Sequence, residues 1–76
     1  LVIVGVSTNN SVESTARTAG NLGFRTIVVS DGTFAFDKED YGGIPRSADE
    51  VHRMSLANLD REYAAISTTA EVLNLL

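Results

Sequence analysis

Apolar and polar positions fall into blocks that predict three strands, each followed by a helix. Residues 1–6 are apolar at every position except Gly5, which is typical of a strand in a parallel sheet that is covered on both faces. A β-branched run at residues 26–30 and a shorter run at residues 65–67 predict the other two strands. The order β-α-β-α-β-α predicts an α/β fold with a parallel sheet and right-handed crossovers.

The first helix is predicted from its caps and from a stripe of small residues. Asn9 or Asn10 can cap its start, and Gly23 supplies the left-handed residue that ends it at about residue 22. Its inward stripe recurs at i, i+4 and i+7 in Val12, Ala16 and Ala19. Such small side chains suit close packing of a helix on a sheet.

Two S/T-x-x-E capping boxes predict the starts of the other helices. Ser47 and Glu50 begin a helix that should reach about residue 62, and Thr68 and Glu71 begin the last helix. One face of the longer helix carries His52, Leu56, Leu59 and Tyr63. The apolar contacts expected of the last helix are Val72, Leu73 and Leu76.

Residues 33–46 show no clear period, although they include the aromatic residues Phe34, Phe36 and Tyr41. A connection of this length inside a compact α/β unit often forms a lid, a pocket wall or an interface. A surface loop whose aromatic rings pack against the body is an equally good interpretation.

Composition narrows the classes of partner. The chain has 76 residues, a net charge of −4 and only 6 Lys and Arg residues, all scattered singly. This argues against nucleic acid and against an anionic membrane surface, since both attract clustered positive charge. No apolar run reaches the roughly 18 residues of a membrane span, and no signal peptide is evident. The absence of cysteine excludes disulfides and fits a cytoplasmic protein.

The turn after the first strand is rich in hydroxyl and amide side chains: Ser7, Thr8, Asn9, Asn10 and Ser11. The first backbone N–H groups of a helix lack intrahelical partners and lie at the positive end of the helix dipole, so the turn can stabilise an anion or oxyanion. Plain N-capping explains the same residue types. A phosphate or dinucleotide site is the functional alternative, with Asp31 placed as a ribose contact, but neither G-x-G-x-x-G nor a P-loop lysine is present.

Two further polar residues have competing interpretations. His52 is the only histidine, and no second ligand accompanies it at metal-binding spacing. We therefore expect a packed, hydrogen-bonded histidine, and we expect neither a metal nor a cofactor. Asp31 follows the second strand, where it could bind a ligand or hydrogen-bond the adjacent turn.

A pattern spread over nearly the whole chain points to a known family. It consists of residues 5–8, 11–12, 14–17, 19–24, 30–33, 47–48, 52, 56–57 and 67–73. Together these segments resemble the isochorismatase-like cysteine hydrolases, most closely the nicotinamidase-related branch. The resemblance implies a three-layer α/β/α, Rossmann-like fold. Because residue 1 already lies in a strand, we expect residues 1–76 to be the C-terminal part of a single hydrolase domain.

The resemblance also implies a chemistry. Many members hydrolyse small-molecule amides through an Asp, Lys and Cys trio, and Ser11 stands at the usual Cys position. It implies an oxyanion-binding backbone group at Ser7 and a non-proline cis peptide between Val6 and Ser7. The family's Asp and Lys come from upstream segments, and Asp31 does not align with that Asp. The substrate-binding residues expected from the turn and the aromatic segment are Thr8, Asn10, Phe34 and Phe36.

The serine at position 11 leaves the function open between classes. A hydroxyl is far less acidic than a thiol, so Ser11 would need a strong general base, as in Ser–Lys hydrolases on other folds. The competing explanations are an engineered Cys replacement, a natural variant with altered activity, and a catalytically silent member that binds a small molecule or serves in assembly. We also expect a homo-oligomer, and a long apolar edge at the first strand when it lacks upstream neighbours.

Overall fold

The computed structural model describes residues 1–75 and contains a parallel three-stranded sheet flanked by helices. The elements in chain order are β1 (Val2–Val6), a π-helical turn (Thr8–Val12), α1 (Glu13–Asn21), β2 (Ile27–Phe34), β3 (Lys38–Glu39), β4 (Pro45–Arg46), α2 (Ala48–Leu59), β5 (Ala65–Ser67) and α3 (Thr69–Leu75). The sheet order is β1-β2-β5, and both pairs are parallel. The predicted α/β fold is confirmed. No helix within these residues is long and apolar enough to span a membrane.

The core lies between the sheet and the pair α1 and α2, which pack against each other. Its buried members are Ile3, Val12, Ala16, Val28, Leu59 and Ala64. The predicted small stripe of α1 is buried in full, because Ala19 is also only 5% exposed. On β2 the next residue, Val29, is buried outside this cluster, and α3 contacts the same strand. Side chains of a strand alternate between its faces, so helices cover both sides of β2.

The strand β1 differs from its prediction. Ile3 is buried, whereas Val2, Val4 and Val6 on the opposite face are 49%, 63% and 55% exposed. Among residues 1–75, therefore, β1 is covered on one face only, and the expectation of a strand covered on both faces is wrong for this part of the chain. The predicted apolar edge is present, because β1 lies at one end of the sheet order.

A bulge makes β2 longer than the strand predicted at residues 26–30. Ile3 pairs with Val28, but Gly5 pairs with Thr33, so residues 29–32 leave the ladder with β1, although Val29 still pairs with Ser67 of β5. The hydroxyl of Thr33 donates to the Val29 carbonyl at 2.9 Å and closes the bulge internally. Polar groups of the bulge consequently reach α2 and α3.

The start of the first helix was predicted incorrectly. The helical turn begins at Thr8, and the N-cap residue is Ser7, with extended backbone at φ −100° and ψ 146° and no side-chain capping bond. Asn9 and Asn10 therefore lie inside the turn and do not cap it. A cap at either position would require extended backbone there, whereas the chain turns directly after β1.

The end of α1 matches its prediction. Gly23 has φ +87°, a conformation that L side chains rarely adopt. The N–H of Gly23 donates to the Gly20 carbonyl at 3.1 Å, and the N–H of Phe24 donates to the Ala19 carbonyl at 3.0 Å. These two bonds form a Schellman motif.

Both capping boxes are confirmed. Ser47 and Glu50 exchange hydrogen bonds of 3.0 and 3.2 Å at the start of α2, and Thr68 and Glu71 exchange bonds of 2.8 and 3.2 Å beside α3. The end of α2 and the packing of α3 are less well predicted. α2 stops at Leu59, three residues short of position 62. In α3 Val72 is half-buried but Leu73 is 61% exposed, so its expected packing is wrong; Leu76 lies outside the described residues.

Residues 33–46 contain a small hairpin that the sequence pattern did not predict. The strands β3 and β4 pair antiparallel, but each has only two residues, too few to show a period. The Asp40 carboxylate accepts the Ile44 N–H at 2.9 Å and the Arg46 Nε–H at 3.0 Å. These bonds lower the pKa of Asp40, the Ile44 N–H having the larger effect.

Candidate functional site at the end of the first strand

Ser11 lies in the π-helical turn directly after β1, and its side chain is exposed. Its hydroxyl donates to the Val6 carbonyl at 2.9 Å. Val6 is the last residue of β1, and the peptide bond between Val6 and Ser7 is cis, as the resemblance implied. The hydroxyl is thus held at the carboxyl end of a parallel strand, where open α/β sheets bind ligands.

Ser7 connects the strand to the turn. Its carbonyl accepts the N–H of Asn10 at 3.1 Å and the N–H of Val12 at 3.2 Å. The bond from Val12 spans five residues and gives the turn its π-helical form, which is common at functional sites. The Ser7 hydroxyl donates to the side-chain oxygen of Asn9 at 3.0 Å, so the backbone and side chain of Ser7 are both fixed.

Thr8 is fully buried, with 0% of its surface exposed. Its Oγ1 lies 2.8 Å from Nδ1 of His52, and its carbonyl accepts the Ser55 hydroxyl at 3.0 Å. Thr8 was predicted to contact substrate, but its side chain faces α2 and has no surface open to solvent. Its contacts attach the turn to α2.

The hydrogen bonds of His52 define its tautomer. Nε2 lies 2.9 Å from the Ser30 carbonyl, which can only accept, so Nε2 bears the proton. In the neutral ring Nδ1 then accepts the hydroxyl proton of Thr8. The predicted packed, hydrogen-bonded histidine is confirmed.

Ser55 extends this network to the surface of α1. Its Oγ is 2.5 Å from a carboxylate oxygen of Glu13, so its single proton is shared between that carboxylate and the Thr8 carbonyl. Glu13 in turn pairs with Arg17 at 3.3 Å, and the Arg17 guanidinium lies 4.8 Å from the ring centroid of Tyr63. The role of Ser55 could not be predicted, because its only signal in the sequence is its place beside the apolar face of α2.

The other predicted substrate contacts are on the surface. Asn10 is exposed, and Phe34 and Phe36 are 57% and 69% exposed. Phe34 pairs with Val6 in the β1–β2 ladder, so the register brings it beside the strand end that accepts the Ser11 hydroxyl. Phe36 lies two residues further along the chain.

A groove of about 610 Å³ runs between the β3–β4 hairpin and α2. Asn9 lines it from the turn and Glu13 from α1, whereas Ser55 and Met54 line it from α2 and Tyr41 from the hairpin. Ser11 and the two phenylalanines are not among its lining residues. The groove therefore contacts the network through Ser55 and Glu13 and is separate from the exposed Ser11 hydroxyl.

Asp31 holds the start of α3. One of its carboxylate oxygens accepts both the N–H and the hydroxyl of Thr69, each at 2.8 Å. The hydroxyl has the larger effect and the N–H the next, and together they lower the pKa of Asp31 from its ordinary value of 3.8. Neither a ligand nor the adjacent turn is needed to explain this residue. Across residues 1–75, no three His, Asp or Glu side chains form a group that could hold a metal ion.

Comparisons with known proteins agree with this fold. The sequence profile described as "Isochorismatase domain" matches residues 1–71. The uncharacterised isochorismatase family protein YrdC of Bacillus subtilis is 42% identical over 74 residues, which cover 97% of this chain and 40% of that protein. A solved isochorismatase-family structure from Chromobacterium violaceum is 59% identical with a TM-score of 0.96, over 97% of this chain and 38% of the other. A cysteine hydrolase structure from Pseudomonas syringae is 34% identical with a TM-score of 0.88, over 96% and 34%. The chain thus spans between 34% and 40% of the length of these relatives.

Proposed function

Because the chain belongs to the isochorismatase family, whose members include cysteine hydrolases, we propose that it supplies the nucleophile region of an amidohydrolase. The proposed substrate is a small molecule with a C–N amide bond. One observation supports this most directly: the Ser11 hydroxyl is exposed at the carboxyl end of β1 and oriented by the Val6 carbonyl.

The proposed reaction proceeds through an ester. The Ser11 oxygen attacks the amide carbonyl carbon, and the hydroxyl proton passes to a general base. Collapse of the tetrahedral intermediate breaks the C–N bond, and the leaving nitrogen takes a proton to depart as ammonia or an amine. Water then hydrolyses the acyl ester, which releases the carboxylic acid and restores the hydroxyl.

Ser11 needs a base other than its present hydrogen-bond partner. The Val6 carbonyl orients the hydroxyl but is too weak a base to remove its proton. Within residues 1–75, no His, Lys or carboxylate side chain hydrogen-bonds to Ser11. The resemblance assigns proton transfer to an Asp and a Lys that this chain does not supply at Ser11, so the proposal requires both in the working site.

Backbone N–H groups of the turn at Ser7 and Ser11 are the proposed oxyanion donors. They lie at the start of a helix, where the dipole favours negative charge. Removal of one such donor typically costs about 3–4 kcal/mol of transition-state stabilisation. Asn10 and Phe34 are the proposed substrate contacts, because both are exposed near the end of β1.

The test is ammonia release by the full-length protein over a panel of small amides. We expect Ser11→Ala to abolish hydrolysis and Ser11→Cys to raise it, since a thiolate is stabilised at a helix N-terminus. Ser14→Ala is the matched control, because Ser14 is an exposed serine in the next turn and should keep parental activity. Hydrolysis that survives Ser11→Ala contradicts the proposal. Silence of both the parent and Ser11→Cys also overturns it and favours a family member that binds a small molecule without catalysis.

A further inference from the structure

We propose that His52 is a positioning residue: through its hydrogen bonds to Thr8 and Ser30, it holds in place the turn that carries Ser11. This proposal rests on the proposed function. His52 does not touch Ser11. It acts through Thr8, which lies three residues before Ser11. Thr8 directly follows Ser7, whose peptide bond with Val6 is cis.

The turn has few anchors outside itself. The N–H groups of Asn10 and Val12 both donate to the Ser7 carbonyl, and these bonds bind the turn to its own backbone. Besides the Ser11 hydroxyl bond to Val6 and the packing of Val12 in the core, the side-chain hydrogen bonds that anchor the turn are those of Thr8 to His52 and Ser55. Both partners belong to α2 and lie 44 and 47 residues after Thr8 in the chain.

His52 also ties the turn to the sheet. Its Nε2–H donates to the carbonyl of Ser30 in the β2 bulge, while Nδ1 accepts from the buried Thr8 hydroxyl. The planar ring offers a donor and an acceptor at a fixed separation, so the turn, α2 and β2 are held in one geometry. A displacement of about 1 Å at a nucleophile can lower a rate about 100-fold.

The same contacts exclude a direct catalytic role for this histidine. The Nδ1 lone pair is engaged by Thr8 and the Nε2 proton by Ser30, so neither nitrogen is free to take the proton of Ser11. The ring is part of a partly buried network, and among the described residues no buried side-chain polar atom lacks a partner. Its contribution is therefore geometric.

The substitutions separate geometry from fold stability. His52→Leu removes both hydrogen bonds, whereas His52→Gln keeps one donor and one acceptor on a planar amide. Leu56→Ala is the control: Leu56 lies on the same helix and packs against the core cluster, but makes no hydrogen bond to the turn. It should lower the melting temperature without moving Ser11. Thr8→Val and Thr8→Ser make the same comparison at the other partner of the Thr8–His52 hydrogen bond, since Val removes the hydroxyl and Ser keeps it.

The first readout is kinetic, on the full-length protein. We expect His52→Leu to lower kcat about 10- to 100-fold with little change in KM, and His52→Gln to restore most of it. Thr8→Ser should likewise retain more kcat than Thr8→Val. Equal kcat in the Leu and Gln variants, or an equal loss of kcat in Leu56→Ala, overturns the proposal.

The second readout does not depend on amide hydrolysis and so distinguishes failure of this proposal from failure of the proposed function. This chain has no cysteine, so Ser11→Cys adds a thiol whose alkylation by iodoacetamide is followed by mass spectrometry of its peptide. In that background His52→Leu should raise the apparent thiol pKa by about half a unit, because the helix N-terminus no longer stabilises the thiolate as well. His52→Gln should reverse the shift. A thiol pKa that is the same in all of these variants overturns the positioning role, whatever the amide panel shows.

Discussion

Gly20 in α1 lies directly against the backbone of Tyr63. A methyl group at Gly20 would meet the Tyr63 carbonyl oxygen at 2.7 Å and its Cα at 3.1 Å, and the partner atoms are backbone that cannot swing away. Alanine is a better helix former than glycine by about 1 kcal/mol, but overpacking costs about 1–3 kcal/mol. We expect Gly20→Ala to lower the free energy of unfolding, measured by urea denaturation.

A second glycine provides the control for this effect. At Gly42 an added methyl group would find only the Asp40 carboxylate at 3.5 Å, an ordinary contact. Gly42→Ala should leave the free energy of unfolding within about 0.5 kcal/mol of the parent. A Gly20→Ala protein that is as stable as Gly42→Ala would show that α1 and the Tyr63 segment can separate at no cost.

The buried Ser55 hydroxyl predicts a second stability effect. Ser55→Ala removes the donor to the Thr8 carbonyl and to Glu13, and Ser55 is only 2% exposed. The Thr8 carbonyl keeps the backbone N–H of Glu13, so the loss is that of the Ser55 hydrogen bonds, each worth about 0.5–1.5 kcal/mol, and thermal unfolding should occur at a lower temperature. Ser14→Ala, at an exposed position of α1, is the matched control. An unchanged melting temperature in Ser55→Ala would show that water replaces the hydroxyl at this site.

Local signals were sufficient for much of the fold. The stripe of Val12, Ala16 and Ala19, the two capping boxes and the helix end at Gly23 all depend on residues within one or two turns of each other. Their physics is visible in a short window, and each proved correct. The start at Thr8 was missed because all five residues from 7 to 11 are of types that favour the N-cap position.

The remaining features depend on long-range contacts. Thr8 and His52 are 44 residues apart, and Asp31 and Thr69 are 38 apart, so no periodicity links them. The β2 bulge is defined by its register with β1, which the strand pattern does not contain. The position of Ser11 could be predicted from the strand–turn–helix pattern, but the attachment of its turn to α2 through Thr8 could not.

The cap of α2 predicts a third stability effect. The Ser47 hydroxyl accepts the Glu50 N–H at 3.2 Å, and the Glu50 carboxylate accepts the Ser47 N–H at 3.0 Å. Ser47→Ala should lower the free energy of unfolding by about 1 kcal/mol, because the backbone N–H of Glu50 then has no side-chain acceptor. Ser47→Asp retains a capping oxygen and should remain near the parent. Equal losses in the Ala and Asp variants would argue against the capping bond as the cause.

The attachment of α3 predicts a pH dependence. Two bonds from Thr69 hold the pKa of Asp31 below 3.8, so the folded state favours the ionised carboxylate. For a carboxyl whose pKa is lowered on folding, the stabilisation is complete above its unfolded pKa and is lost as pH falls through the folded pKa. We expect the stability difference between the parent and Asp31→Ala to be constant from pH 7 down to near 3.8 and to shrink below it.

Taking the difference between two variants removes the contributions of the other acidic groups, including Asp40 and Glu50, whose pKa values are also lowered. Thr69→Val tests the contribution of the Thr69 hydroxyl, since it removes that hydroxyl but keeps the backbone N–H, which also donates to Asp31. The parent-minus-Asp31→Ala difference should therefore be smaller in a Thr69→Val background, with the same direction of pH dependence. Hydrogen exchange of the α3 amides is the local readout, because the bond closes at the first residue of that helix. A difference that is independent of pH across this window would show that shape alone, and not the charge of Asp31, holds α3 to the sheet.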